Sequence, residues 1–92
     1  MPISKKKVIE SASDSSANRG NILTATFLQI RRRLQVISTS ILGNSTEAED
    51  ALSEAFLRLW KSPRPLENAF QVEAILTTTV RNISIDEVRK RL

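Results

Sequence analysis

The sequence predicts an all-α protein, a small bundle of three main helices behind a disordered N-terminal tail. Three observations lead there. Apolar residues recur at spacings of three and four along most of the chain. Only two glycines and three prolines occur in 92 residues, too few turn-formers for a sandwich or barrel. Cap and stop signals divide the periodic stretch into three segments.

Residues 1–20 are expected to form the flexible tail, with lysines first and then the run SASDSSANRG, which offers little to bury. One short helical turn is expected near Val8 and Ile9. The helical domain is placed at residues 21–92. Its first helix is predicted over Asn21 to Leu42, with Leu23, Phe27, Ile30, Leu34, Ile37 and Ile41 on one face. Gly43-Asn44 is a stop signal, because both residues tolerate the left-handed conformation. The second helix is predicted to open on a capping box of Thr46 and Glu49. Its buried stripe is Ala48, Leu52, Ala55, Phe56 and Leu59. It should end near Lys61, because Ser62 precedes Pro63. The loop SPRPLEN follows, stiffened by two prolines. Asn68 and Gln71 have the spacing to cap a third helix, which buries Val72, Leu76, Thr79, Val80 and Ile83 and runs to the basic end Arg89-Lys90-Arg91.

Composition narrows the function. The chain has neither cysteine nor histidine, so disulfides, Cys/His zinc sites and the commonest acid–base and thiol chemistries drop out. No phosphate loop, nucleophile motif or paired acid–base carboxylates occur. The expectation is a protein that is not an enzyme and needs no cofactor or metal. No apolar run approaches a membrane span, and the start lacks the apolar stretch of a signal peptide, so the expected location is the cytoplasm, with no membrane partner. Net charge is +4, with Lys61, Arg64, Arg81, Arg89, Lys90 and Arg91 concentrated in the last third. That bias is a weak hint of a polyanion, and on charge alone a solvated face is the favoured reading.

Two stripes could carry function. Glu47, Asp50 and Glu54 line one side of the second helix and could dock a basic partner. Spacing alone favours a solvated surface with pairs such as Glu54–Arg58. Thr78, Asn82, Asp86 and Arg89 make a polar stripe on the third helix. Asparagine can bond base edges and arginine phosphates, but an ordinary polar face has the same spacing. Trp60, taken alone, reads as a core anchor.

The segment AEDALSEAFLRLW, Ala48 to Trp60, closely resembles region two of the extracytoplasmic-function (ECF) sigma factors of the bacterial sigma-seventy family. VRNISIDEVRKR, Val80 to Arg91, resembles that family's second signature, and the resemblance extends over roughly residues 22–92. It implies an RNA polymerase sigma factor domain that binds the beta-prime clamp helices of the core polymerase. It further implies recognition and melting of the minus-ten promoter element through its non-template strand. By resemblance, Glu47, Glu49, Asp50, Ser53 and Glu54 belong to the polymerase contact. Arg64, Leu66, Asn68 and Phe70 fall in the loop that receives a flipped-out base. Arg81, Asn82, Asp86, Arg89, Lys90 and Arg91 match positions near the DNA, and Thr78 joins them as a member of the same polar stripe. An anti-sigma factor is a further candidate partner. The sequence departs from the pattern at Ser53, where glutamine is usual, and at Ile75, where many members have tryptophan. ECF factors continue to a DNA-reading region four that this chain does not include, which suggests an excised domain. The alternative is a helical regulator that docks on polymerase without opening DNA.

Overall fold

The computed structural model describes residues 14–92, with side chains from Asn18 onward. Three helices follow one another: α1 (Asp14–Leu42), α2 (Ser45–Lys61) and α3 (Ala69–Arg91). Among the described residues there is no strand. Each helix packs against the other two. The expected turn at Val8 and Ile9 lies outside the described residues, as does most of the expected tail. Helix α1 starts seven residues earlier than Asn21, so residues 14–20 are helical.

The helix ends follow from local chemistry. Gly43 adopts φ 75°, the left-handed turn that stops α1, and its N–H bonds the Thr39 carbonyl at 2.7 Å. Asn44 then turns extended and caps α2, its Oδ1 accepting the Glu47 N–H at 2.9 Å. The expected Thr46/Glu49 capping box is therefore not formed: Asn44 reaches the free amides first, and Thr46 is already inside the helix. Helix α2 stops at Lys61, as Ser62-Pro63 requires. Asn68 caps α3 as expected, accepting the Gln71 N–H at 2.8 Å. The Gln71 side chain reaches past the cap to accept the Glu67 N–H at 2.7 Å.

The core joins Leu23, Ile30, Leu34 and Leu42 of α1 to Ala51, Leu52, Ala55 and Leu59 of α2 and Val72, Leu76, Val80 and Ile83 of α3. Phe27 and Phe56 pack on its edge, with ring centroids 5.0 Å apart. The expected stripe of α1 is corrected at its C-terminal end. Ser38 and Leu42 are buried there, while Ile37 and Ile41 are only half-buried. Thr79 is also half-buried, and Ser84, one turn after Val80, takes an inward position.

Ser38 and Ser84 meet inside the bundle, Oγ to Oγ at 2.7 Å, and Ser84 donates to the Val80 carbonyl at 2.8 Å. Ser84 has one proton, so Ser38 donates to Ser84. No buried side-chain polar atom among the described residues lacks a partner. Ser38→Ala is expected to cost about 1 kcal/mol. The double change Ser38→Ala with Ser84→Ala should cost less than the sum of the single changes, because no hydroxyl is then left half-satisfied. Urea unfolding of the three variants measures the coupling.

Candidate functional site

Helix α2 turns its small and aliphatic residues inward and leaves one face to solvent. At 100° per residue, Asp50, Ser53 and Leu57 share the centre of that face. Glu54 and Lys61 lie on one flank, Glu49 and Trp60 on the other. Leu57 is 49% exposed, a leucine facing water in the middle of a polar surface. The sequence reading passed over it because it sits off the core stripe.

The expected polymerase residues separate into two groups. Glu47, Asp50 and Glu54 edge a groove between α2 and α3, whose other wall includes Ile83 and Glu87. Glu49 edges a different groove, on the α1 side, with Leu28, Arg31, Arg32, Gln35 and Val36. Ser53 stands exposed between them. Glu54 is bonded by Arg58, as the spacing anticipated. Exposed pairs of this kind stabilise little.

The loop from Ser62 to Asn68 joins α2 to α3. Its one deeply buried side chain is Leu66, 7% exposed and part of the core. Leu66 therefore anchors the loop, and its side chain does not present itself to a ligand. Arg64 is exposed, and its N–H bonds Ser62 Oγ at 3.1 Å. Asn68 is engaged as a cap. Phe70, in the first turn of α3, is 84% exposed. No core contact explains a phenylalanine there.

Beyond Phe70, the outward ridge of α3 carries Thr78, Asn82 and Arg89, all exposed. Arg81 lies beside it. Asp86 sits toward the α2 flank, with Arg89 Nη1 at 3.9 Å from its carboxylate. Lys90 approaches Glu87 at 3.6 Å. Arg91 does not join the ridge. Its guanidinium bonds the Glu47 carboxylate and donates to the Leu42 carbonyl at 3.2 Å, fastening the end of α3 to the α1–α2 corner. A residue expected at DNA thus meets one expected at polymerase.

Trp60 corrects another expectation. It is 51% exposed rather than buried, stacked on Phe56 with centroids 5.7 Å apart. Gly20 of α1 lies against the indole, where a Cβ would stand 3.3 Å from the ring. Arg19 was missed altogether. It bonds four backbone carbonyls at the end of α2 and in the loop. Nothing local in the sequence marks that contact, which spans forty residues or more. Among the described residues no group of acidic side chains could hold a metal ion, and no helix is long and apolar enough to cross a membrane.

The family described as Sigma-70 region 2 matches residues 26–92. The chain belongs to the sigma-70 region 2 family. No curated protein and no solved structure matches it significantly. Sigma-70 region 2 domains are non-enzymatic parts of RNA polymerase sigma factors, and their general work is to bind core polymerase and to recognise the minus-ten promoter element. The match begins within α1 and takes in all of α2, the loop and α3, so both exposed faces described above belong to the region 2 domain. It leaves Arg19 and Gly20 outside.

Proposed function

We infer that the chain is the region 2 domain of an ECF-type sigma factor, acting in the cytoplasm, which docks on the beta-prime clamp through α2 and captures the minus-ten non-template strand with its loop and α3. The observation that carries this reading is the continuity of the family match over both surfaces, joined to the AED and RN…D signatures at Ala48–Asp50 and Arg81–Asp86.

The clamp contact is assigned to Glu47, Glu49, Asp50, Ser53 and Glu54, with Leu57 added at the centre of the face. An exposed leucine on a face that carries Asp50 and Glu54 suits a basic partner helix with an apolar stripe, since interfaces gain from a desolvated centre inside a polar rim. The DNA contact is assigned to Arg64, Asn68 and Phe70 at the loop and to Thr78, Arg81, Asn82, Asp86 and Arg89 along α3, with Lys90 at its end; Arg91, expected there too, is held by Glu47 and the Leu42 carbonyl and fastens the helix instead. Leu66 contributes by holding the loop.

A sigma factor opens DNA without hydrolysing a nucleotide, so the melted strand must bind better than the duplex. Extruding a base costs a few kcal/mol of stacking and pairing. An unpartnered aromatic such as Phe70 can return about 1–3 kcal/mol by stacking on a base. Arg64, Arg81 and Arg89 supply cations for the backbone. Asp86 fits this surface by orienting Arg89 or by accepting from a base amino group.

The test is Asn82→Ala, read by fluorescence anisotropy on single-stranded oligonucleotides varied one base at a time. Asn82 is exposed and outside the core, so the fold should be unaffected. Sequence preference is expected to fall at one position by about 1–3 kcal/mol, while the mean affinity changes less. An equal loss across all sequences would remove Asn82 from base recognition.

A further inference from the structure

Helix α2 ends with a problem that another helix solves. The Leu59 carbonyl would normally accept from the N–H four residues on, but that residue is Pro63, which has none, so its backbone partner is the Ser62 N–H at the longer distance of 3.3 Å. The Trp60 carbonyl would accept from Arg64, whose N–H is instead turned to Ser62 Oγ. Helix C-termini leave carbonyls free, and a proline just beyond leaves them freer. Arg19 fills the gap. Its Nη2 donates to the Leu59 and Ser62 carbonyls at 2.8 and 2.5 Å, its Nη1 to Trp60 at 3.3 Å and its Nε to Arg64 at 2.9 Å. One guanidinium thus spans the last turn of α2 and the first half of the loop. Its planar fork presents several donors in fixed directions, which a lysine ammonium cannot reproduce. Gly20 brings α1 close enough for this by giving way to the Trp60 ring.

The loop is consequently held at three points. Arg19 grips its first half, Leu66 is sunk in the core, and Gln71 bonds the Glu67 N–H at 2.7 Å and the Pro65 carbonyl at 3.4 Å. We propose that Arg19 is a positioning residue for base capture: it presets the loop in the free protein, so that binding a flipped base does not first have to order the chain. This rests on the proposed role of the loop as the base-receiving element. With four of its five guanidinium N–H groups spent on carbonyls, Arg19 acts on DNA through the loop rather than as a phosphate contact.

The experiment compares the 92-residue chain with Arg19→Lys and Arg19→Ala. Arg19 is only partly buried and outside the core, and circular dichroism should show unchanged helix content; the lysine variant carries the test if alanine perturbs α1. Hydrogen exchange of the free proteins is expected to quicken at the Ser62 and Arg64 amides in both variants. The Glu67 amide, held by Gln71, should stay protected and serves as the internal control. A fluorescent single-stranded oligonucleotide, of the sequence that the wild type selects best from a randomised pool, should bind roughly tenfold more weakly to both variants. The slope of log affinity against log salt should not change, because no phosphate contact is lost. Retained binding by Arg19→Lys, with a slope lowered by about 0.7 in Arg19→Ala, would make Arg19 a phosphate contact and overturn the proposal. Unchanged exchange at Ser62 and Arg64 would overturn it too. If the wild type prefers the single strand and both variants match it, only the role of Arg19 falls. If the wild type shows no such preference, the reading of the loop falls and takes the role of Arg19 with it.

Discussion

Reversing Asp50 and Glu54 together to lysine is expected to weaken binding to the beta-prime clamp on the order of a hundredfold while leaving the fold intact. Both carboxylates lie on the outer surface of α2, away from Ala48, Ala51, Leu52, Ala55 and Leu59, which face the core. The structural cost is small. The Glu54–Arg58 pair is exposed and contributes only about 0.3–0.5 kcal/mol. Reversing two charges in the proposed docking face does more than remove attraction, since each lysine would then repel the cations of a basic partner helix. Most of the loss should appear as slower association that depends steeply on salt, the signature of steering between exposed charges. Titration against purified clamp helices at two ionic strengths measures both. A double variant that binds as tightly as the wild type would detach α2 from the clamp assignment.

Leu76→Ala should cost about 3 kcal/mol of stability, within the usual range for a leucine cut to alanine in a packed interior. Leu76 is fully buried in α3, inside the cluster formed by all three helices. A bundle of this size has no second core to compensate, so the loss is a large part of a total of roughly 5–10 kcal/mol. The midpoint of thermal unfolding should drop by about 15 °C. The effect bears on function as well, because Leu76 lies under the α3 ridge that carries Thr78 and Asn82. Urea and thermal denaturation followed by circular dichroism provide the check. A loss below 1 kcal/mol would mean that the site closes over the void or that the core is looser than its burial implies.

What the sequence made legible depended on how local the physics was. Pro63 ends a helix by its own covalent structure, and Asn68 caps one through an amide three residues away, so both could be read from neighbours. The start of α2 could not, because Asn44 and Thr46 are both competent caps. Gly43, with its positive φ, delivers the chain extended at Asn44, and that decides between them. At the end of α1 the periodicity pointed to Ile37 and Ile41, whereas the bundle takes Ser38 and Leu42. Hydrophobicity alone ranks isoleucine above serine; only the meeting with Ser84 across the interface makes Ser38 an interior residue. Trp60 shows the converse, a large apolar side chain kept half at the surface, whereas Leu57 lies off the core stripe and its exposure follows from the periodicity. The candidate site divides the same way. Asn82 and Arg89 could be placed on one ridge by counting. The withdrawal of Arg91 to Glu47, and the grip of Arg19 on the loop, depend on contacts more than forty residues apart.

Strand capture requires that this domain hold a melted strand in preference to a paired one. The most direct measurement loads the chain onto core RNA polymerase and titrates the complex with single-stranded and duplex forms of one minus-ten oligonucleotide, at fixed salt, by anisotropy. Tighter binding of the single strand, with the advantage lost when Phe70 is changed to alanine, is the expected result. Equal affinity for both forms would contradict strand capture and leave a domain that docks on polymerase without opening DNA.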